Sequence, residues 1–375
     1  MWPRQALFVL FLSMTFTEAK DSPLLTRLLS ELPAPLNRVA NKEEFEVQVL
    51  CVQIEKTEAG PKFIEHGWHL DSGTYFYPAS TVKLPIALFA LEKVAQLAGP
   101  DLNRDTAMVM PPYDLEPSSV AEDVRQIFLV SDNPAFNRLF AFVGTERCQQ
   151  RFSALGLTDT RIIHALGLEH MTFADPVRFL DPGGALLHSE SLSLNKRGPE
   201  QASRRLLKGE GYFDSGVLVH GPMDFSQKND FPLKDQHRLM REVFFPGNEG
   251  LTLTPADREF VKETMGQFPR ECVETKDASI REKPDTYVKN FLGWAKQPIR
   301  DSLRCYNKSG QAYGYMIDNA YIVDETHDIA FFLAATIHVN ANKIYNDNVY
   351  EYDAIGEPFM SALGKAVYDY ERSRK

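Results

Sequence analysis

The stretch Tyr75-Phe76-Tyr77-Pro78-Ala79-Ser80-Thr81-Val82-Lys83-Leu84-Pro85, with the apolar run Ile86 to Val94 behind it, restricts the fold more than any other part of the chain. Pro78 and Ala79 end an extended segment. Ile86, Leu88, Phe89, Leu91 and Val94 then recur at helical spacing, which predicts a helix with a face in a core. Ser80 and Lys83 stand three apart at its start, so hydroxyl and amine share one side of the first turn. A serine hydroxyl attacks only when something removes its proton, and a desolvated lysine amine one turn away can do that. Unpaired N–H groups at a helix start also favour developing negative charge. Ser80 is therefore read as a nucleophile and Lys83 as its base. A second Ser-x-x-Lys, Ser193-Leu194-Asn195-Lys196, lies in a polar stretch without helical periodicity and is set aside.

The bulk of the chain narrows the classes. At 375 residues it can hold one large core with insertions or two lobes. A net charge of −10 argues against a nucleic-acid surface. At the amino terminus, Arg4 precedes the apolar run Ala6 to Phe16, and Thr17-Glu18-Ala19 ends on a small residue, the layout of a signal peptide cut after Ala19. The expected product is exported, with no membrane span after processing and a mature domain over 20–375. Cys51, Cys148, Cys272 and Cys305 allow two disulfides in three pairings, or four buried thiols. Histidine and cysteine spacings suggest no metal, and no cofactor is expected.

Along the chain, a helical stretch from Leu24 to about Val39, broken by Pro33 and Pro35, precedes strands at Phe45–Ile54 and Lys62–Leu70. Ser119 three before Glu122 predicts a helix start, Pro134 and Gly144 bracket the next helix, and another runs from Glu146 to Leu155. The segment from Leu157 to about Gly184 reads as irregular loop. Beyond it come a hairpin (Gly211–Val219), helices at Leu233–Val243 and Pro255–Met265, and a further helix at Asp285–Trp294. Strands at Arg304–Lys308, Tyr313–Val323 and Ile329–Val339 form a meander, and Phe359–Tyr370 closes the chain as a helix. Strands near both ends predict one sheet completed by both termini, with a helical lobe over roughly 80–298 inserted in it.

Two further motifs join Ser80. Ser131-Asp132-Asn133 falls between two predicted helices, and Lys308-Ser309-Gly310 at the end of a predicted strand. The order Ser-x-x-Lys, Ser-Asp-Asn, Lys-Ser-Gly resembles the penicillin-recognising serine hydrolases, particularly class A β-lactamases. The resemblance covers nearly the whole mature chain. It implies an α+β, three-layer α/β/α fold of the β-lactamase/transpeptidase type, with a five-stranded antiparallel sheet and an all-helical lobe flanking the site. It also implies roles: Ser80 is acylated, Lys83 takes its proton, and Ser131 relays a proton to the leaving nitrogen. Asn133 holds the substrate amide, Asp132 braces its loop, and Lys308 and Ser309 bind a carboxylate. Gly310 lets substrate lie along the strand, and the N–H groups of Ser80 and Gln311 form the oxyanion hole. The implied activity is β-lactam hydrolysis by a monomer acting on a β-lactam or a peptidoglycan-like peptide. The alternatives are a D-alanyl-D-alanine carboxypeptidase or other amidase or esterase, and a penicillin-binding protein acylated without turnover.

Three departures qualify the match. The family's Glu-x-x-Leu-Asn loop, which carries the deacylating glutamate, does not occur after Asn133; Glu169 is the carboxylate on offer, with Asp175 beyond it. Pro85 should loosen the first turn of the catalytic helix or shift its start. An enlarged insertion, roughly 189–298, is expected to wall the cleft with some of Tyr212, Phe213, Phe225, Phe231, Phe244 and Phe245.

Overall fold

A computed structural model describes residues 21–97, 99, 102–110, 117–168, 176–192, 206–247, 250–272 and 278–374. The expected leader, the Ser193–Lys196 stretch, Glu169 and Asp175 lie outside the described residues. The centre is a five-stranded sheet. Across it the order is Leu303–Ala312, Tyr315–Asp324, Ile329–His338, Gln48–Thr57, Gly60–Trp68. Every neighbouring pair is antiparallel, with Val49 opposite Ala335 on one side and Trp68 on the other. The sheet is therefore closed by strands from both ends of the chain.

Successive residues of the Gln48–Thr57 strand are buried in two different cores. Leu50, Val52 and Ile54 pack with Phe89, Leu91 and the helical lobe. Val49 and Cys51 pack with Leu25, Phe359, Leu363 and Val367 of the terminal helices, Pro23–Ser30 and Glu357–Ser373. Because side chains alternate along a strand, a sheet covered on both faces reads as a continuous apolar run. Gln53, buried in that run, donates to Glu371 Oε1 of the last helix at 2.5 Å.

The helix Lys83–Gln96 is buried along almost its whole length, and the helices Val120–Val130, Asn133–Val143 and Thr145–Ala154 surround it. The caps expected at Ser119 and Gly144 form, the Ser119 hydroxyl accepting from Glu122 N and Gly144, at φ 81°, ending its helix; the Thr254 hydroxyl likewise accepts from Asp257 N. Pro85 does shift the helix start. A 3-10 turn, Ala79–Val82, precedes the α-helix, so Pro85 is its third residue, where a missing N–H costs no helical bond.

Some elements differ from expectation. The segment 157–184 contains a strand, Val177–Leu180, paired with Ala107–Val109 and Leu186–Glu190. The hairpin Gly211–Asp214/Val217–His220 gains a parallel partner in Ile344–Tyr345. The inserted part is thus not all helical; strands of two to five residues carry too little periodicity to be read in advance. The helix expected at Asp285–Trp294 is a series of turns with one 3-10 element, Asn290–Leu292. Val288 there has φ 55°, and buried Lys289 donates to Met265 O, Cys305 O and Asn307 Oδ1 at 3.0, 2.8 and 3.3 Å. Those tertiary bonds outweigh helix propensity, which is worth tenths of a kcal/mol per residue.

The insertion also divides. Its helix Leu233–Phe244 packs on the sheet, with Phe244 against Tyr321 (4.6 Å) and Phe245 against Phe63 (5.1 Å between centroids). Phe225 and Phe231 are fully buried. Only Tyr212 and Phe213 of the six named aromatics line a cavity next to the site. The four cysteines are buried thiols with no disulfide among them. Among the described residues, no helix is long and apolar enough to cross a membrane, and no cluster of His, Cys, Asp or Glu could hold a metal ion.

Candidate active site

The site forms where three chain turns meet. Ala79, at φ 48°, is in the left-handed region, and this kink delivers Ser80 into the 3-10 turn just ahead of the helix. Ser131, at φ 56°, ends the helix Val120–Val130, and Asp132 caps the next by accepting from Ala135 N at 2.6 Å. Asp132 thus braces the loop through backbone N–H groups, as the sequence suggested. Two helix ends back to back direct both the Ser131 carbonyl and its hydroxyl at Lys83. Non-glycine residues at positive φ cost about 1–3 kcal/mol and persist where surrounding structure enforces them.

Lys83 is the hub. Its Nζ lies 2.9 Å from Ser80 Oγ, 2.6 Å from Ser131 O, 2.7 Å from Asn133 Oδ1 and 3.2 Å from Ser131 Oγ. Burial pushes its pKa down to about 7, offset slightly by the charge of Asp132. The carbonyl oxygens of Ser131 and Asn133 can only accept. In the neutral amine they hold its two hydrogens, which leaves the lone pair facing Ser80 Oγ. That is the geometry of a general base.

Lys308 completes the group from the sheet. Its Nζ lies 2.8 Å from Ser131 Oγ and 2.7 Å from Ser309 O, so the Ser131 hydroxyl bridges the two lysines. Its pKa is well below the usual lysine range, through burial first and then the charge of Lys83. Lys289 lies buried nearby, its pKa also lowered by burial. Asp318, the buried carboxylate beside both, is raised by desolvation to about 6. Burial thus weakens the positive charge of these lysines, and an incoming anion would draw protons onto them.

Ser80, Ser131, Ser309, Gly310 and Gln311 line one cavity of about 620 Å³, and Ser80, Asn133 and Gln311 line a second of about 460 Å³. Gly310 has a role that spacing could not reveal. A Cβ there would sit 2.6 Å from Ser80 N and 3.1 Å from both Ala79 Cβ and Pro78 O. The absent side chain lets the strand close on the turn that holds Ser80, a contact separate from the room for substrate that the resemblance implies. Gly310→Ala should cost about 1–3 kcal/mol of stability through overpacking. It should also slow acylation at Ser80 at least about tenfold by displacing the nucleophile. Thermal unfolding and labelling rate would show this; parental values in both would refute it.

The profile described as the β-lactamase enzyme family matches residues 35–370. The chain belongs to the β-lactamase enzyme family. It is accordingly a serine hydrolase acting on amide bonds. No curated protein matches it. Among solved structures it is similar to a β-lactamase from Sphaerobacter thermophilus, with TM-score 0.51 and 13% identity over 93% of this chain and 96% of that one. It is also similar to PBP-A, with TM-score 0.54 and 15% identity over 92% and 95%. A mutant of PBP-A in an acyl-enzyme complex with penicillin G gives TM-score 0.51 and 14% identity over 92% and 95%. At these identities the likeness is one of fold.

Within this β-lactamase family chain, the loop opposite Ser80 is held by a residue the sequence reading passed over. Asn137 donates to Leu166 O and accepts from Leu166 N, both at 3.0 Å. Asn137 lies one helical turn after Asn133, so the i, i+4 pair was an available signal. Gly167 follows, where a Cβ would sit 3.2 Å from Asn133 Nδ2. Leu166 and Gly167 face the cavity that holds Ser80 and Asn133, and among its described lining residues none is a carboxylate. On the other side, the 284–293 segment, Asp353 and the start of the last helix at Glu357 wall the larger cavity beside Ser80.

Proposed function

We propose that this enzyme is exported, acts as a monomer, and takes the acyl group of a β-lactam or a D-alanyl peptide onto Ser80, releasing it slowly. The carrying observation is the position of Lys83: a buried amine whose Nζ lies 2.9 Å from Ser80 Oγ, with its pKa lowered to about 7 by burial. Ser80 Oγ attacks the carbonyl carbon as Lys83 takes its proton. The N–H groups of Ser80 and Gln311 face the resulting oxyanion; losing such a donor costs about 3 kcal/mol of transition-state stabilisation. As the C–N bond breaks, the Ser131 hydroxyl hands its proton to the leaving nitrogen and is reprotonated from the lysine side. Lys308 and Ser309 receive the substrate carboxylate, and Asn133 the acyl amide.

Slow release rests on the cavity wall opposite Ser80, where Leu166 supplies no base for water. Fast β-lactam hydrolysis through Glu169 is the second reading, favoured by the family match and by that residue lying three beyond Leu166. Purified protein should be labelled by a fluorescent penicillin, keep the label for many minutes, and hydrolyse a chromogenic cephalosporin poorly. Ser80→Ala should abolish labelling. Rapid loss of label with fast hydrolysis would favour the second reading, and equal labelling of Ser80→Ala would end both.

A further inference from the structure

The cleft continues well past Ser80. The chamber of about 460 Å³ is bounded by Tyr77, Tyr313 and Tyr350 and by the carboxamides of Asn133, Gln311 and Asn346, with no charged side chain among its described lining residues. It shares Tyr77, Gly167, Tyr313 and Asn346 with a further chamber of about 690 Å³, so the two form one trough. A single chamber already matches a drug-sized ligand, for which sites run about 300–1,000 Å³. The trough is longer than a bicyclic lactam needs.

Charge enters only in the far chamber, as Lys228 and Asp214. His164 there is held neutral, its pKa lowered to about 4 by burial. Lys228 is half-buried, with Nζ 3.4 Å from Tyr313 Oη and 5.5 Å from that ring's centroid. Among the described residues no carboxylate lies within ion-pair distance of it. Asp214 is exposed at a hairpin tip, where the Ser215 hydroxyl donates to it. Tyr313 has φ 55° because, with Gly314 at φ 78°, it forms the two-residue turn between the strands Leu303–Ala312 and Tyr315–Asp324. Edge contacts to Tyr77 (4.9 Å) and Phe225 (5.4 Å) hold it there, on the seam between the chambers.

We infer that the trough takes the acyl half of an extended, peptide-like donor whose far end carries a carboxylate, and that Lys228 is the specificity-determining residue that receives it. The inference rests on acylation at Ser80. Carboxamides and phenols near the nucleophile pair with peptide N–H and C=O groups without regard to charge. The cation beyond them then selects what the chain ends in.

The test uses thioester acyl donors identical except at the far end of the acyl chain, one ending in a carboxylate and the other in a methylamide. The full-length protein should show a kcat/KM ratio of about five in favour of the carboxylate, the size expected of a partly solvated ion pair, and this ratio should shrink with added salt. Lys228→Met should bring the ratio to about one, and Lys228→Glu should shift preference to an amine-ended donor. Taking the ratio within each protein removes differences in folded fraction. A ratio near one in the parent, or one unchanged in Lys228→Met, overturns the subsite while leaving acylation intact. If neither donor nor a fluorescent penicillin acylates Ser80, the underlying reading falls, and the subsite with it.

Discussion

Lys83→Met should slow acylation of Ser80 by on the order of 10³-fold, the usual contribution of a positioned general base. The same experiment has a pH signature. Burial lowers the Lys83 pKa to about 7, so the parent amine is mostly protonated below that pH and mostly neutral above it. Only the neutral form has a lone pair for the Ser80 proton. The parent's acylation rate should therefore rise about tenfold per pH unit below 7 and level off above it. In Lys83→Met that rise through 7 should vanish. Stopped-flow labelling across pH 5 to 9 measures both. A variant within tenfold of the parent, or one keeping the same pH profile, would remove Lys83 from the mechanism.

Leu166→Glu should shorten the life of the acyl-enzyme by about 10²–10⁴-fold. Leu166 is 7% exposed in the wall opposite Ser80, and Asn137 fixes its backbone from both sides. A carboxylate on that fixed backbone could take a proton from water beside the ester. Burial raises a carboxyl pKa, so the gain should grow as pH rises through the new group's titration. The substitution should also destabilise the fold by about 1–3 kcal/mol, because it buries a polar group in an apolar wall. Chasing a fluorescent label with unlabelled penicillin gives the lifetime. An unchanged lifetime in a folded variant would show that the wall at 166 does not govern release.

These two predictions differ in how early they could have been made. Lys83 was legible from spacing, because three residues along a helix is a fixed geometry. Ser119 was legible as a cap for the same reason, since a cap acts on N–H groups two or three residues away. The long strands of the sheet could be found from alternation and β-branched content, though their ends moved by a few residues. Leu166 was not visible as part of the wall. It gets its position from Asn137, 29 residues away, and an apolar side chain carries no chemical signal. Gly310 was singled out, but its close approach to Ser80 N depends on a backbone from a distant part of the chain. The 284–293 segment misled because Lys289 exchanges helical bonds for bonds to Met265, Cys305 and Asn307.

By itself the sequence determined the chemistry and its order: a nucleophile with an amine one turn on, a turn carrying a hydroxyl and an amide, and a strand carrying a lysine, though that strand runs four residues past it to Ala312. It could do so because each of those signals is local, governed by spacing within one element. Tertiary structure decided how deeply Lys83 is buried, and hence its pKa, and which side chain faces the ester. It also decided that the cleft runs on to Lys228. Those properties depend on desolvation and on contacts between distant segments, which no spacing along a single chain encodes.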